Sequence, residues 1–164
     1  MAADLPTGTA RTAHSHELTV RWTDTPHGRA RTHEVRAAGK PTLPASAAPA
    51  LGGEADRWHP EELLVAALSE SHMAWFLHLA AARGVVVTDY VDHPVGTLVA
   101  DEDGPGGGRF AEVVLRPRIT VADTAMADAA HALHAEVPAR CPVARAVAFP
   151  VRREPVVGTE RRRP

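Results

Sequence analysis

Residues 60–82 read PEELLVAALSESHMAWFLHLAAA. Leu63, Ala67, Ser71, Trp75 and Leu79 recur every four residues, Leu64 and Leu68 widen the same face, and Phe76 lies near its edge. That spacing predicts an apolar stripe on a helix of about six turns. Pro60 suits the first helical position, where its missing N–H leaves no bond unmade, and Glu61 and Glu62 complement the helix N-terminus. Gly84 fits a C-terminal cap. The stretch is therefore read as a core helix with Ser71 halfway along its buried face. A serine there either bonds back to the carbonyl four residues earlier or faces a pocket.

Upstream, residues 16–22 (HELTVRW) alternate in polarity and predict a strand, and residues 29–36 predict a second that pairs with it across a turn at 23–28. Residues 37–59 form a long Ala/Pro/Gly-rich loop, either a linker or a segment next to a site. Trp58 is expected to anchor its end. Downstream, residues 85–91 and 95–100 predict strands, and the glycine-rich run 101–108 (DEDGPGGG) a hairpin turn. Those glycines precede a strand and lack a following Lys-Ser/Thr, so they do not form a phosphate loop. Residues 109–121 predict one long strand with Pro117 at an edge or bulge. Asp123 is an expected N-cap for a second helix over 124–137, with Met126, Ala130, Leu133 and Val137 on one face. Residues 140–146 predict a single turn with Pro142 at its first position, and residues 147–151 a closing strand. The class is α+β. The expected organisation is a flexible N-terminus (1–15), one domain (16–151) and a charged flexible tail (152–164).

The 164 residues suit one domain or one subunit of an intimate dimer, and 45% hydrophobic content marks a globular chain. The formal charge is −2, and the basic tail leaves residues 1–151 more acidic still. That balance argues against nucleic acid as a partner. Apart from the core helix there is no apolar stretch long enough to span a membrane, and residues 1–14 show no secretory pattern. With one cysteine, no intramolecular disulfide is available, and a cytoplasmic location is the expectation.

Cys141 is the strongest chemical candidate. It stands before Pro142 at the start of a short turn, flanked by Arg140 and Arg145, and both features favour a thiolate. The alternative is an inert buried cysteine. Ten histidines invite a metal reading. His131 and His134 can share a helical face, whereas His72 and His78 cannot. No HExxH or CxxC is present, so no metal or other cofactor is called for. Ser71 and His72 are adjacent on a helix and point about 100° apart, which excludes a Ser–His hydrolase pair.

The stretch WHPEELLVAALSESHMAWFLHLAAARGVVVTDYVD resembles the first-helix signature of the OsmC/Ohr family of organic hydroperoxide reductases. ASAAPALGG before it, GGGRFAEVVLRPRITV after it and RCPVARAVAFPV near the end resemble the same family in the same order. The resemblance implies an intertwined homodimer in which two long helices pack against antiparallel sheets, with active sites at the subunit interface. It implies a peroxidatic cysteine on the first long helix that attacks the peroxide O–O bond and becomes a sulfenic acid. A resolving cysteine then forms a disulfide with it, and a dithiol or lipoyl reductant resets the pair. Cys141 matches the resolving cysteine and Glu61 the glutamate that helps activate the thiolate. Arg31 is the best match to the family's arginine, with Arg29 and Arg36 as alternatives. The peroxidatic position is Ser71.

A serine hydroxyl has no oxidation ladder, so the two-cysteine cycle cannot run in this chain as written. Three readings stand open. One is an OsmC-like dimer that kept fold and pocket, lost peroxidase activity and binds a small hydrophobic ligand or acts without catalysis. The second is a one-cysteine hydroperoxide reductase using Cys141. The third is an ordinary hydroperoxide reductase in which Ser71 replaces an original cysteine. If Glu61 lies within the helix, it stands about 15 Å along the axis from Ser71, because ten residues rise 1.5 Å each.

Overall fold

The computed structural model describes residues 13–23, 31–101 and 107–160. The order is three strands, a long helix, four strands, a second helix and two strands: β1 (Thr19–Trp22), β2 (His33–Arg36), β3 (Leu43–Ala45), α1 (Pro60–Ala82), β4 (Val87–Val91), β5 (Val95–Ala100), β6 (Gly108–Leu115), β7 (Arg118–Val121), α2 (Ala127–Glu136), β8 (Val151–Arg153) and β9 (Val156–Thr159). Among these strands the pairings make three small sheets, in the orders β1-β2-β3, β4-β7-β9 and β5-β6-β8. The α+β class stands.

The helix α1 has the expected bounds. Glu62 accepts a long hydrogen bond from the His59 N–H at 3.4 Å, which helps cap the start. At the other end the Gly84 N–H reaches the Ala81 carbonyl and the Val85 N–H reaches Ala80, with Gly84 at φ +69°. This is a Schellman closure, in which glycine adopts the left-handed conformation without a Cβ clash. The buried face differs from the expected one. Leu68, His72, Phe76, Leu79 and Ala80 are buried, so the centre of the face is rotated by one residue, and Ser71 lies half-buried at its edge. The sequence is apolar around most of the circumference, so periodicity alone did not select the inward face. By length and composition α1 is apolar enough to cross a membrane, and little of its surface is buried within the chain.

The segment read as one loop, 37–59, contains β3, which pairs antiparallel with β2, and a single 3₁₀ turn at Pro49–Leu51. Proline-containing LPA gave no strand signal. Trp58 anchors the segment through its backbone: the Ser46 N–H donates to the Trp58 carbonyl at 2.9 Å, while the indole stays exposed. The hairpin of β1 and β2 is present, but β2 starts at His33 because Arg31 sits at φ +51°, outside strand geometry. The turn expected at 23–28 and residue Arg29 lie largely or wholly outside the described residues.

The expected long strand 109–121 is two strands in two different sheets, divided at Arg116 and Pro117. The C-terminus follows the same break. β8 runs parallel to β6, β9 runs parallel to β7, and Glu154 and Pro155 stand opposite Arg116 and Pro117. The Glu154 N–H donates to the Leu115 carbonyl, the Val156 N–H to the Pro117 carbonyl, and the Arg116 guanidinium meets the Glu154 carboxylate at 3.1 Å. The closing strand is therefore at Val151–Arg153, not 147–151, and the expected flexible tail is structured through β9. Residues 156–159 (VVGT) carry no polarity alternation, and β9 forms through its parallel pairing with β7.

Asp123 caps the second helical segment as expected, its carboxylate accepting from the Ala125 N–H at 2.9 Å. A 3₁₀ turn precedes α2 and another, Val137–Ala139, follows it. The main core gathers Phe76, Leu79 and Ala80 of α1, Ile119 and Val121 of β7, and Ala130, Leu133 and Val137. Leu133 is fully buried there. Its replacement by Ala is expected to cost about 2–5 kcal/mol through lost transfer energy and the cavity left behind. Urea unfolding of Leu133→Ala against the parent measures this.

Candidate functional site

The seating of α1 on α2 brings Ser71 to Cys141. The Ser71 hydroxyl and the Cys141 thiol are 3.0 Å apart, across seventy positions of sequence. Cys141 is held from its own segment. Its N–H donates to the Val137 carbonyl at 2.9 Å, and its carbonyl accepts from the Arg145 N–H. The Ala144 N–H points at Sγ from 3.4 Å, at the first residue of the short turn Ala144–Ala146. The turn expected at 140–146 with Pro142 at its first position is present as a shorter 3₁₀ turn, Ala144–Ala146, that starts two residues later. The thiol is 1% exposed and packs with Phe76, Leu133 and Val137. A hydroxyl and an amide converge on a sulfur that solvent does not reach within the single chain.

One turn inward from this contact lies a feature that the sequence did not reveal. His72 Nε2 and His134 Nδ1 share a hydrogen bond of 2.9 Å, both residues are buried, and the His134 ring stacks on Phe76 with centroids 4.3 Å apart. Burial first, then Arg153, with Asp92 opposing, push the His72 pKa down to about 4. Burial likewise pushes His134 down to about 3, with His72, His131 and Arg153 adding repulsion. The pair is neutral at pH 7, and one shared proton orders the two tautomers. The His134 Nε2 atom is buried without a partner among the described residues. His131 does not join His134 in a cluster: among the described residues no three His, Cys, Asp or Glu side chains gather as a metal site. The two histidines lie sixty-two positions apart, and no local spacing announces such a pair.

Asp92 ties the same region together. Its carboxylate accepts from the Ser69 hydroxyl at 2.6 Å and from the Arg116 N–H at 2.7 Å. It thereby fixes the middle of α1 to the break between β6 and β7.

Glu61 and Arg31 are not beside Ser71 and Cys141. Glu61 is in the first turn of α1, ten residues and about 15 Å of helix from Ser71. It lines a cavity of about 810 Å³ between the start of α1, the 48–59 segment and the β5–β6 hairpin. Trp58, Val65, Leu98 and Phe110 supply apolar walls, and His59 and Glu62 join Glu61 as polar groups. Among the described residues the Glu61 Oε2 and His59 Nδ1 atoms are buried without hydrogen-bond partners. Arg31 is exposed and donates a long hydrogen bond, 3.5 Å, to the carbonyl of Leu51, itself on the cavity wall. Of the alternatives, Arg36 is paired with Glu34 at 2.5 Å, and Arg29 lies outside the described residues. The four candidate residues thus form two groups: Ser71 with Cys141, and Glu61 with Arg31 near the cavity. The 37–59 segment contributes Ala48, Ala50, Leu51, Trp58 and His59 to the cavity wall.

The model of the family described as OsmC-like protein matches residues 53–154. Among solved structures, the chain is similar to an OsmC-like protein of unknown function from Vibrio cholerae O1 biovar eltor str. N16961, at 28% identity and a TM-score of 0.77, covering 88% of this chain and all of that one. It shares its fold with an organic hydroperoxide resistance protein OsmC from Legionella pneumophila, at 22% identity and TM-score 0.66, over 90% of this chain and 99% of that one. The same holds for an organic hydroperoxide resistance protein from Elizabethkingia anophelis, at 18% identity and TM-score 0.66, over 92% and 99% of the two chains. No curated protein matches.

The histidine pair makes a prediction about acid stability. Both pKa values are lowered on folding, so the unfolded chain binds more protons and stability falls as pH falls. The loss begins near the unfolded value of 6.5, runs down to about 4 for His72 and extends to about 3 for His134. In thermal melts across that window, the double variant His72→Leu/His134→Leu is expected to lose less stability on acidification than the parent. Equal slopes would show that carboxylates alone govern the acid limb.

Proposed function

The chain belongs to the OsmC-like protein family, and from that premise we propose that it is a relative of the thiol-dependent organic hydroperoxide reductases in which the two-cysteine peroxidase cycle has been lost. The observation that carries this reading is the 3.0 Å contact between the Ser71 hydroxyl and the Cys141 thiol. Cys141 stands where the resolving cysteine is expected, and Ser71 occupies the place of its partner. In the two-cysteine cycle the peroxidatic thiolate attacks the O–O bond, the substrate leaves as an alcohol, and sulfur is oxidised to a sulfenic acid. The second thiol displaces water from it and closes a disulfide, which two electrons from a dithiol such as a lipoyl group reopen. The Ser71 oxygen can neither accept the peroxide oxygen nor enter a disulfide. The protein then acts in the setting of peroxide stress as a non-catalytic or ligand-binding member, with the cavity beside Glu61 retained for a small apolar molecule.

A homodimer is part of the proposal. Leu18, Val20 and Trp22 at β1, and Val95, Leu98 and Val99 on β5, are large apolar side chains exposed in the single chain. Much of the apolar surface of α1 is uncovered as well. A second copy that covers these faces is also the means by which Arg31 and Glu61 of one subunit can approach Ser71 and Cys141 of the other. The one-cysteine alternative, with Cys141 as nucleophile, meets a sulfur that is 1% exposed and enclosed by core side chains. Burial in apolar surroundings keeps a thiol inert.

Turnover of cumene hydroperoxide with dithiothreitol or dihydrolipoamide tests the reading. The parent and Cys141→Ala are expected to be inactive, and Ser71→Cys to gain activity by about two orders of magnitude or more, since thiolate chemistry is restored. Activity in the parent that Cys141→Ala abolishes would make Cys141 the nucleophile and overturn the proposal.

A further inference from the structure

Resting on the reading that position 71 stands in the place of a reactive sulfur, we propose that His72 and His134 are the positioning residues of that site. Their hydrogen bond holds position 71 opposite the Cys141 thiol. Three short contacts close a ring through the fold. His72 Nε2 meets His134 Nδ1 at 2.9 Å. One helical turn beyond His134, the Val137 carbonyl accepts from the Cys141 N–H at 2.9 Å. The Cys141 thiol then meets the hydroxyl of Ser71, the chain neighbour of His72, at 3.0 Å. His134 lies in α2 and Val137 opens the 3₁₀ turn that continues it, so this side of the ring is one continuous helical run. With the first two contacts made, little freedom is left in the third. A second copy of the chain leaves the pair in place, because both histidines are only 3% exposed within one chain.

Apolar packing alone does not select this register. The sequence of α1 is apolar around most of its circumference, and dispersion contacts are not directional. A hydrogen bond is directional. Turning α1 by one residue swings each side chain through about 100° and moves it about 1.5 Å along the axis. That displacement takes His72 Nε2 off its partner and leaves a buried polar atom unsatisfied, which is costly. The receiving ring is itself fixed: His134 stacks on Phe76 with centroids 4.3 Å apart and lies within 9° of parallel to His72. The other polar ties of α1 act elsewhere. Ser69 binds Asp92, which leads to the strands, and Arg83 pairs with Glu136 on the surface, where an ion pair contributes little.

The test uses Ser71→Cys, equilibrated with reduced and oxidised glutathione at pH 7, and reads the effective concentration of the disulfide between positions 71 and 141. Adding His134→Leu is expected to lower it about tenfold or more, because closure is penalised by the fraction of molecules outside the competent register. His134→Asn carries a polar group where Nδ1 sits and should restore most of the loss, whereas His134→Gln places its amide further out and should not. His72→Leu/His134→Leu removes both polar groups without leaving an orphan, and should also close its disulfide less readily while remaining folded by circular dichroism. An effective concentration that is unchanged in the two Leu variants would overturn the proposal in favour of packing. So would a His134→Asn value as low as that of His134→Leu, which would assign the effect to the stacked ring and not to the hydrogen bond. No disulfide in Ser71→Cys with both histidines present would overturn the reading of position 71 and the inference with it.

Discussion

The seating of α1 against α2 fixes everything else that matters chemically in this chain. Leu68, His72, Phe76 and Ala80 form the buried face of the long helix, and Ala130, Leu133 and Val137 receive part of it. Inside this apolar contact the His72–His134 hydrogen bond sets register, because an imidazole can accept or donate there only if its partner arrives at the right height. Burial keeps both rings uncharged, so the contact is made without the desolvation cost of an ion. Asp92 adds a second clamp from the strand side through Ser69. With α1 held in rotation and height, Ser71 projects from the edge of the buried face towards the turn that carries Cys141.

That same rigidity divides the candidate site. A straight helix cannot bring its first turn to its middle, so Glu61 and Ser71 remain apart within one chain. Around Cys141 the environment is apolar, closed and satisfied, with donors aimed at sulfur. Around Glu61 it is mainly apolar and open, with polar atoms that lack partners among the described residues. In the first group a hydroxyl faces a thiol at 3.0 Å. The second lines a cavity with mainly apolar walls.

The sequence was most legible where one signal determined one structure. The bounds of α1, its Gly84 closure, the Asp123 cap and β5 were all readable, because each rests on local chemistry. The rotation of α1 was not, since a helix that is apolar on several faces leaves the choice of inward face to its neighbours. The strands β3 and β9 were missed because proline and arginine masked short pairings that tertiary hydrogen bonds sustain. The 109–121 run looked continuous because nothing local shows that Pro117 marks a change of sheet. Within the site, only the family resemblance links Ser71 to Cys141 in the sequence, and in the fold the two atoms stand 3.0 Å apart. The histidine pair and the unpartnered Glu61 oxygen are products of three-dimensional packing and left no trace in spacing.

The central claim is that Ser71 occupies the position of a sulfur facing Cys141. Its most direct test is disulfide formation in Ser71→Cys. An oxygen-to-sulfur separation of 3.0 Å leaves about 1 Å to close to a disulfide bond length. Mild oxidation of the purified variant, followed by intact mass and free-thiol titration under denaturing conditions, should show two thiols lost within one chain and a mass lower by two hydrogens. Two thiols that remain free, or that link only between chains, would contradict the account.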